Sequence, residues 1–212
     1  MRFDPRTRAA GALMPMPATP SRTQRICAWI LRKCGWTVVF RWPPQPKCVV
    51  IFYPHTSNLD FIWGVLAYLS LGWPVRWCAK DSWFRWPTGI LGRALGGIPV
   101  NRREHTGFVE QLKRRYDEAQ ELYIAITPEG TRACTDHWKS GFYRLALATN
   151  TLVGLAFIDK PSRRIGIDTY IELSGNEEED LASFRTYYAD KRGVHPERQG
   201  DIRFIQHGAR RG

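Results

Sequence analysis

Residues 48–60 read CVVIFYPHTSNLD, and the order of residue types in this stretch decides the fold. Cys48 to Tyr53 is an uninterrupted apolar run rich in β-branched residues, the pattern of a short strand buried on both faces. Pro54 ends the run and His55 opens a turn. Ser57 or Asn58 supplies a side-chain oxygen for a helix N-terminus, with Asp60 in the first turn. The helix that follows, Leu59 to Leu71, is apolar nearly all round, so it is buried or faces lipid. Strand, turn and helix in this order open an α/β unit.

Working outward, Ser21 or Thr23 caps a helix running to about Gly35. Ile26, Cys27, Ile30, Leu31 and Cys34 share one arc of it, with Arg25, Arg32 and Lys33 opposite. Trp29 and Trp36 lie near its edge or end, where amphipathic rings favour a lipid interface. Downstream, Val75 to Ala79 is a second strand that delivers Lys80, and Pro87 to Leu95 is helical until Gly96-Gly97 stops it. Ile98 to Asn101 is a third strand ending at Arg102. Thr106 caps a long polar helix to about Gln120. Leu122 to Thr127 is another buried strand. Gly141 to Asn150 is a helix, Leu152 to Ile158 and Arg164 to Leu173 are strands, and Glu177 to Lys191 is a helix with an acidic head that suits its dipole. Strands alternating with helices predict a single-domain α/β sandwich. A largely parallel central sheet is flanked by helices, with an N-terminal amphipathic helix added.

The 212 residues carry 31 Lys and Arg against 20 Asp and Glu, a net charge of +11. Such an excess calls for an anionic partner: nucleic acid, an anionic lipid surface or a phosphorylated substrate. Residues 1–47 hold nine of the basic residues and one acid, Asp4, so most of the excess sits at the front of the chain. Residues 9–18 faintly resemble a secretory signal, but Gly11, Pro15 and Pro17 break its apolar helix, and Met14 or Met16 would serve as an alternative start. Five cysteines without a CxxC pair suggest neither a disulfide framework nor a zinc knuckle, and a reducing compartment is the simpler reading. No run of eighteen apolar residues is present for a spanning helix.

Three polar clusters fall where strands end and helices begin, the usual place for chemistry in such a sheet. His55 comes directly off a buried strand, and Asp60 is one turn further on. A carboxylate placed there can accept one imidazole proton, fix the tautomer and leave the other nitrogen as a base. Taken alone, the same spacing also fits a helix-capping aspartate beside a turn histidine. Glu129-Gly130-Thr131-Arg132 follows another strand. Gly130 permits a tight turn, Arg132 offers a forked phosphate donor, and Glu129 can orient it. Gly97 to Arg102 repeats this logic, and Lys80 is a fourth phosphate contact. A strand-end turn with solvated charges is the plain alternative for each.

Together these residues resemble the glycerophospholipid acyltransferases, the group containing 1-acylglycerol-3-phosphate acyltransferase. The resemblance rests on Pro54-His55-Thr56-Ser57-Asn58-Leu59-Asp60, Gly97-Ile98-Pro99-Val100-Asn101-Arg102 and Pro128-Glu129-Gly130-Thr131-Arg132, in the family's order and at its separations, over about Cys48 to Ile158. It implies that His55 is the general base and Asp60 its orienting partner. It further implies that Arg102, Glu129, Gly130, Thr131 and Arg132 bind the acceptor head group. Pro54 replaces the usual Asn, and residues 152–157 (LVGLAF) lack the usual prolines of a fourth motif; both bear on the acceptor.

The expected reaction is direct transfer of a fatty acyl chain from acyl-CoA or acyl-carrier protein to a lysophospholipid hydroxyl. The acceptor that fits best is 1-acyl-sn-glycerol 3-phosphate. Backbone amides near Gly130 or the His55 turn are candidates for the oxyanion site. Neither a nucleophile elbow nor metal-ligand spacing is present, so no cofactor is expected beyond the thioester co-substrate. Aromatic and apolar segments suit an acyl-chain groove. The expected division is a flexible basic leader (1–20), an amphipathic membrane-associating segment (21–47), an acyltransferase domain (48–193) and a loose polar tail (194–212). The expected place is peripheral, on the cytoplasmic face of a membrane, with no nucleic-acid partner. Another lyso-lipid acceptor such as lyso-ornithine lipid, or a non-enzymatic lipid- or nucleic-acid-binding protein, remains the alternative.

Overall fold

β-Branched and aromatic runs form the strands here because their side chains meet partners on both faces of one sheet. The computed structural model describes residues 19–100 and 105–205. Residues 1–18 of the leader (1–20), residues 101–104 with Arg102, and the last residues from 206 lie outside the described residues. Seven strands run β1 (Thr37–Phe40), β2 (Lys47–Tyr53), β3 (Val75–Lys80), β4 (Gly97–Val100), β5 (Leu122–Ile126), β6 (Leu152–Asp159) and β7 (Arg164–Ile171). The helices are α1 (Arg22–Lys33), α2 (Asn58–Leu71), α3 (Thr88–Ala94), α4 (His105–Glu118), α5 (Gly141–Thr149) and α6 (Glu177–Tyr188). The sheet order is β1-β7-β6-β2-β5-β3-β4. β2 is parallel to both neighbours, and only the β6–β7 hairpin is antiparallel. The largely parallel sandwich is therefore present.

β2 sits in the middle of the sheet, which is why CVVIFY shows no polar alternation. Val49, Ile51 and Tyr53 point to one face, among Leu112 and Tyr116 of α4, Phe142 of α5 and Phe184 of α6. Cys48, Val50 and Phe52 point to the other, toward Tyr68 and Leu71 of α2. This is the period of two expected of a strand. Each fully buried aliphatic side chain contributes on the order of 1.5–3 kcal/mol. α1 lies on the α2 face, with Cys27 and Leu31 buried. Its apolar arc is thus divided: Cys27 and Leu31 face the core, whereas Ile26 and Trp29 are 58% and 51% exposed. Gly72, at φ +66°, ends α2 in the left-handed conformation. A Cβ there would stand 2.5 Å from Gln24 Nε2, so α1 packs tightly on the turn.

The structure adds to or departs from the sequence reading at four places. Residues 37–40 are not part of a surface segment but the edge strand β1, paired with β7; four residues are too short to show a period. Helix α4 begins at His105, so Thr106 lies inside its first turn. The segment before α3 forms a separate 3-10 turn, Asp81–Phe84. The tail beyond Gly193 is not loose as far as residue 205 but packed under the sheet's carboxyl end. There Trp138 N–H donates to Arg203 O at 2.8 Å and Tyr53 Oη donates to Gly200 O at 3.0 Å. Polarity of a segment reports its solvent-facing side chains, not whether its backbone finds partners. Among the described residues no helix is long and apolar enough to cross a membrane.

Candidate active site

Three strands of the parallel set bring chemistry to one edge, because parallel strands all end on the same side. β2 ends at Tyr53 and releases His55; β3 ends at Lys80; β5 ends at Ile126 and leads through Pro128 to Arg132. β4 ends at Val100, in register with Lys80, and Arg102 beyond it lies outside the described residues. A cavity of about 540 Å³ opens at this edge, within the range of about 300–1,000 Å³ usual for ligand sites. His55, Lys80, Gly130, Thr131 and Arg132 all lie on its wall. The cavity then runs under α2 along the sheet face, between Phe52, Gly64, Tyr68 and Leu71, toward Phe40, Trp73 and Ile167. One end is basic and the remainder is apolar.

Asp60 does not orient His55 here. Its Oδ2 accepts Thr56 N–H (2.7 Å), the Thr56 hydroxyl (2.9 Å) and Ser57 N–H (2.8 Å), while Oδ1 accepts Val194 N–H at 3.3 Å. Ser57 and Asp60 form the capping box of α2, so the helix-capping alternative describes this carboxylate. The reason is local. At the third position of a helix, a carboxylate is already in reach of the amides at the cap. His55 Nδ1 is buried and has no hydrogen-bond partner among the described residues.

Glu129 is likewise not placed for the head group. It is 1% exposed and away from the cavity wall. Its two oxygens accept His55 N–H at 2.8 Å and Gly200 N–H at 2.9 Å. Four of the amides expected to stabilise an oxyanion are engaged. Those of His55, Thr56 and Ser57 serve carboxylates, and Gly130 N–H donates to Thr127 O at 3.1 Å. Gly130 has φ +65°, a turn conformation that favours glycine, and a Cβ there would only displace the flexible end of the Lys139 side chain, 2.9 Å away. Thr131 Oγ1 accepts Ala133 N–H at 3.2 Å, which leaves its own proton available to a ligand. The Arg132 guanidinium stands 5.1 Å over the Trp83 ring.

Burial governs the electrostatics. It lowers the His55 pKa to about 4, with the Arg132 charge adding to the effect. The imidazole is therefore neutral at physiological pH and open to a proton. Burial raises Glu129 to about 7, against the lowering effect of its bonds from Gly200 and His55 and with a raising contribution from Asp60. Asp60 is raised by burial as well, opposed by its four hydrogen bonds.

Several positions that hold the His55 loop carried little or no signal in the sequence. Thr56 is fully buried; its hydroxyl donates to Asp60 and accepts His195 N–H at 3.0 Å. Gly193, Val194, His195 and Gly200 form a strap that ties the His55 loop to Glu129 from the far end of the chain. Only the run Pro-His-Thr-Ser hinted at Thr56, and nothing local marked the strap.

A basic pocket, a neutral histidine at a strand end and an apolar channel thus lie together at one edge of the sheet. A family model described as Acyltransferase matches residues 41–159, more than half of the chain. The chain belongs to the acyltransferase family. Among solved structures the fold is similar to the 1-acyl-sn-glycerophosphate (LPA) acyltransferase PlsC from Thermotoga maritima, with a TM-score of 0.51 and 17% identity over 78% of this chain and 74% of that one. At that identity the likeness concerns the fold. No curated protein matches the chain.

Proposed function

We propose that this acyltransferase moves a fatty acyl group from acyl-CoA or acyl-carrier protein to the free hydroxyl of a lysophospholipid, 1-acyl-sn-glycerol 3-phosphate fitting best, at the cytoplasmic surface of a membrane. One observation carries the reading: His55, Lys80, Thr131 and Arg132 share a cavity whose remaining wall is aliphatic and aromatic. The basic end matches a phosphate, and the channel matches a chain.

In the reaction His55 takes the acceptor hydroxyl proton as the oxygen attacks the thioester carbon. The C–S bond breaks, and the departing thiolate receives the proton from the imidazolium. The oxyanion is met by donors on the cavity wall, the Thr131 hydroxyl and the Arg132 guanidinium, since the amides of His55, Thr56, Ser57 and Gly130 are engaged. Arg132 and Lys80 also hold the phosphate; Arg102 lies outside the described residues. Asp60 and Glu129 act as positioning residues: they fix the loop that carries His55. The exposed Ile26 and Trp29 of α1, flanked by Arg22, Arg25 and Lys33, support attachment to an anionic surface.

The test is purified protein with labelled acyl-CoA or acyl-carrier protein and a panel of lysolipids, read by product chromatography. His55→Ala is expected to abolish transfer without changing thermal stability at pH 7 and above. Retained transfer in that variant removes His55 as base. Transfer only to a phosphate-free acceptor, such as lyso-ornithine lipid, removes the phosphate role of Arg132 and Lys80.

A further inference from the structure

The segment 81–94 (DSWFRWPTGILGRA) has its apolar residues on the wrong side for a soluble surface. It leaves the sheet edge after Lys80 as a 3-10 turn and then α3. Phe84 is buried and stacks at 5.8 Å on Trp77, which anchors the segment to the core. The other large apolar side chains point outward: Trp83 is 47% exposed, Trp86 85%, Ile90 67% and Leu91 63%. Single exposed apolar residues are ordinary, but four within nine positions make a patch of the kind that marks a contact surface.

Its position gives the patch meaning. Trp83 lines the cavity as well as being exposed, so the patch adjoins the cavity's rim. The first turns of α2, which roofs the cavity, add Leu59 and Ile62 at 49% and 47% exposure. Lys80, Arg85 and Arg93 are exposed around these residues, against the single acid Asp81. Apolar tips fringed by cations fit an anionic bilayer leaflet: the tips enter the acyl boundary and the cations stay at phosphate level. A second copy of the chain fits poorly, because a self-contact would set Arg85 and Arg93 against their own like charges.

We propose that residues 83–91 form a membrane-inserting edge, distinct from α1, that docks the cavity mouth onto an anionic leaflet so that an acyl chain passes between bilayer and cavity without crossing water. The proposal rests on the lysolipid acyltransferase reading for what travels through the mouth, but the docking itself is measured independently.

The experiment uses the full chain and a triple variant, Trp86→Ser, Ile90→Ser and Leu91→Ser, none of which lines the cavity. Co-sedimentation with phosphatidylglycerol–phosphatidylethanolamine vesicles should show the partition coefficient falling at least about tenfold, with the thermal midpoint unchanged. Ile26→Ser with Trp29→Ser on α1 should weaken partition separately, and the two sets of changes should multiply. Transfer to vesicle-embedded acceptor should fall with partition, while transfer to acceptor dispersed as monomers persists. Partition within about twofold of the parent protein overturns the proposal. So does a parent dimer that becomes a monomer in the triple variant, because the patch then holds a second copy. Vesicle binding lost in the variant, in a protein that transfers no acyl group to any acceptor, upholds the docking edge and overturns the activity alone.

Discussion

Glu129 and His55, 74 residues apart in the chain, are joined by a hydrogen bond of 2.8 Å from the His55 backbone N–H to Glu129 Oε2. The same carboxylate accepts Gly200 N–H through its other oxygen. One buried acid thus clasps the histidine loop on one side and the C-terminal strap on the other. Asp60 does the equivalent one turn away, between Thr56, Ser57 and Val194. The two motif carboxylates hold backbone, and the cavity is left to His55 and the basic side chains.

The pH dependence of stability follows with opposite signs for two groups. The folded His55 pKa, about 4 against 6.5, means that the folded state binds this proton less readily, so stability is lost as pH falls from 6.5 toward 4. The folded Glu129 pKa, about 7 against 4.5, means that the folded state keeps its proton longer, so stability is lost as pH rises from 4.5 toward 7. Each shift is worth about 3 kcal/mol at full extent. Between 4.5 and 6.5 the slopes oppose each other. His55→Ala should leave the Glu129 slope alone, so its melting temperature should decline more steeply than the parent's across that window. Parallel calorimetric profiles for the two proteins would count against the buried neutral histidine.

Asp60→Ala should be far more damaging to the fold than His55→Ala. It removes the third-position half of the capping box, leaving the Ser57 cap itself in place. It also leaves buried amides without an acceptor, at about 1–3 kcal/mol each. A loss of at least about 3 kcal/mol in urea unfolding is expected. An Asp60→Ala protein of parental stability, with transfer abolished, would restore Asp60 as the ring's orienting partner.

The strap should act on turnover through the loop. Val194→Pro deletes the N–H that reaches Asp60 Oδ1 and leaves the cavity wall intact. The expected result is a kcat reduced about tenfold with KM for acceptor little changed, and a cost near 1 kcal/mol in stability. If kcat/KM measured well below the melting point equals the parent's, the strap supports the fold only.

Gly64 sits in α2 with its face toward the channel, and a Cβ there would meet the Phe52 ring at 3.5 Å, an ordinary contact. Gly64→Ala should be tolerated and add up to about 1 kcal/mol of helix stability. Gly64→Leu should narrow the channel and lower the rate with long-chain thioesters more than with short ones. Competition between a long and a short donor measures this as a ratio; an unchanged ratio would mean that the acyl chain lies elsewhere.

The sequence by itself determined the strand at Cys48–Tyr53, the turn at His55, the cap of α2, the alternation that builds the parallel sheet and the motifs that mark the family. These are local or periodic properties: a buried strand, a capping box and a glycine turn are each written in a few neighbouring residues. The edge strand β1 was too short to carry a period. Only the tertiary structure decided where the carboxylates of Asp60 and Glu129 point. Their partners, Val194 and Gly200, lie 134 and 71 residues away and offer backbone amides, which no side-chain pattern encodes. The channel was beyond the sequence for the same reason. Phe40, Phe52, Tyr68, Trp73 and Ile167 come from five separate elements and loops, and only the stacking of α2 over the sheet makes a single wall of them.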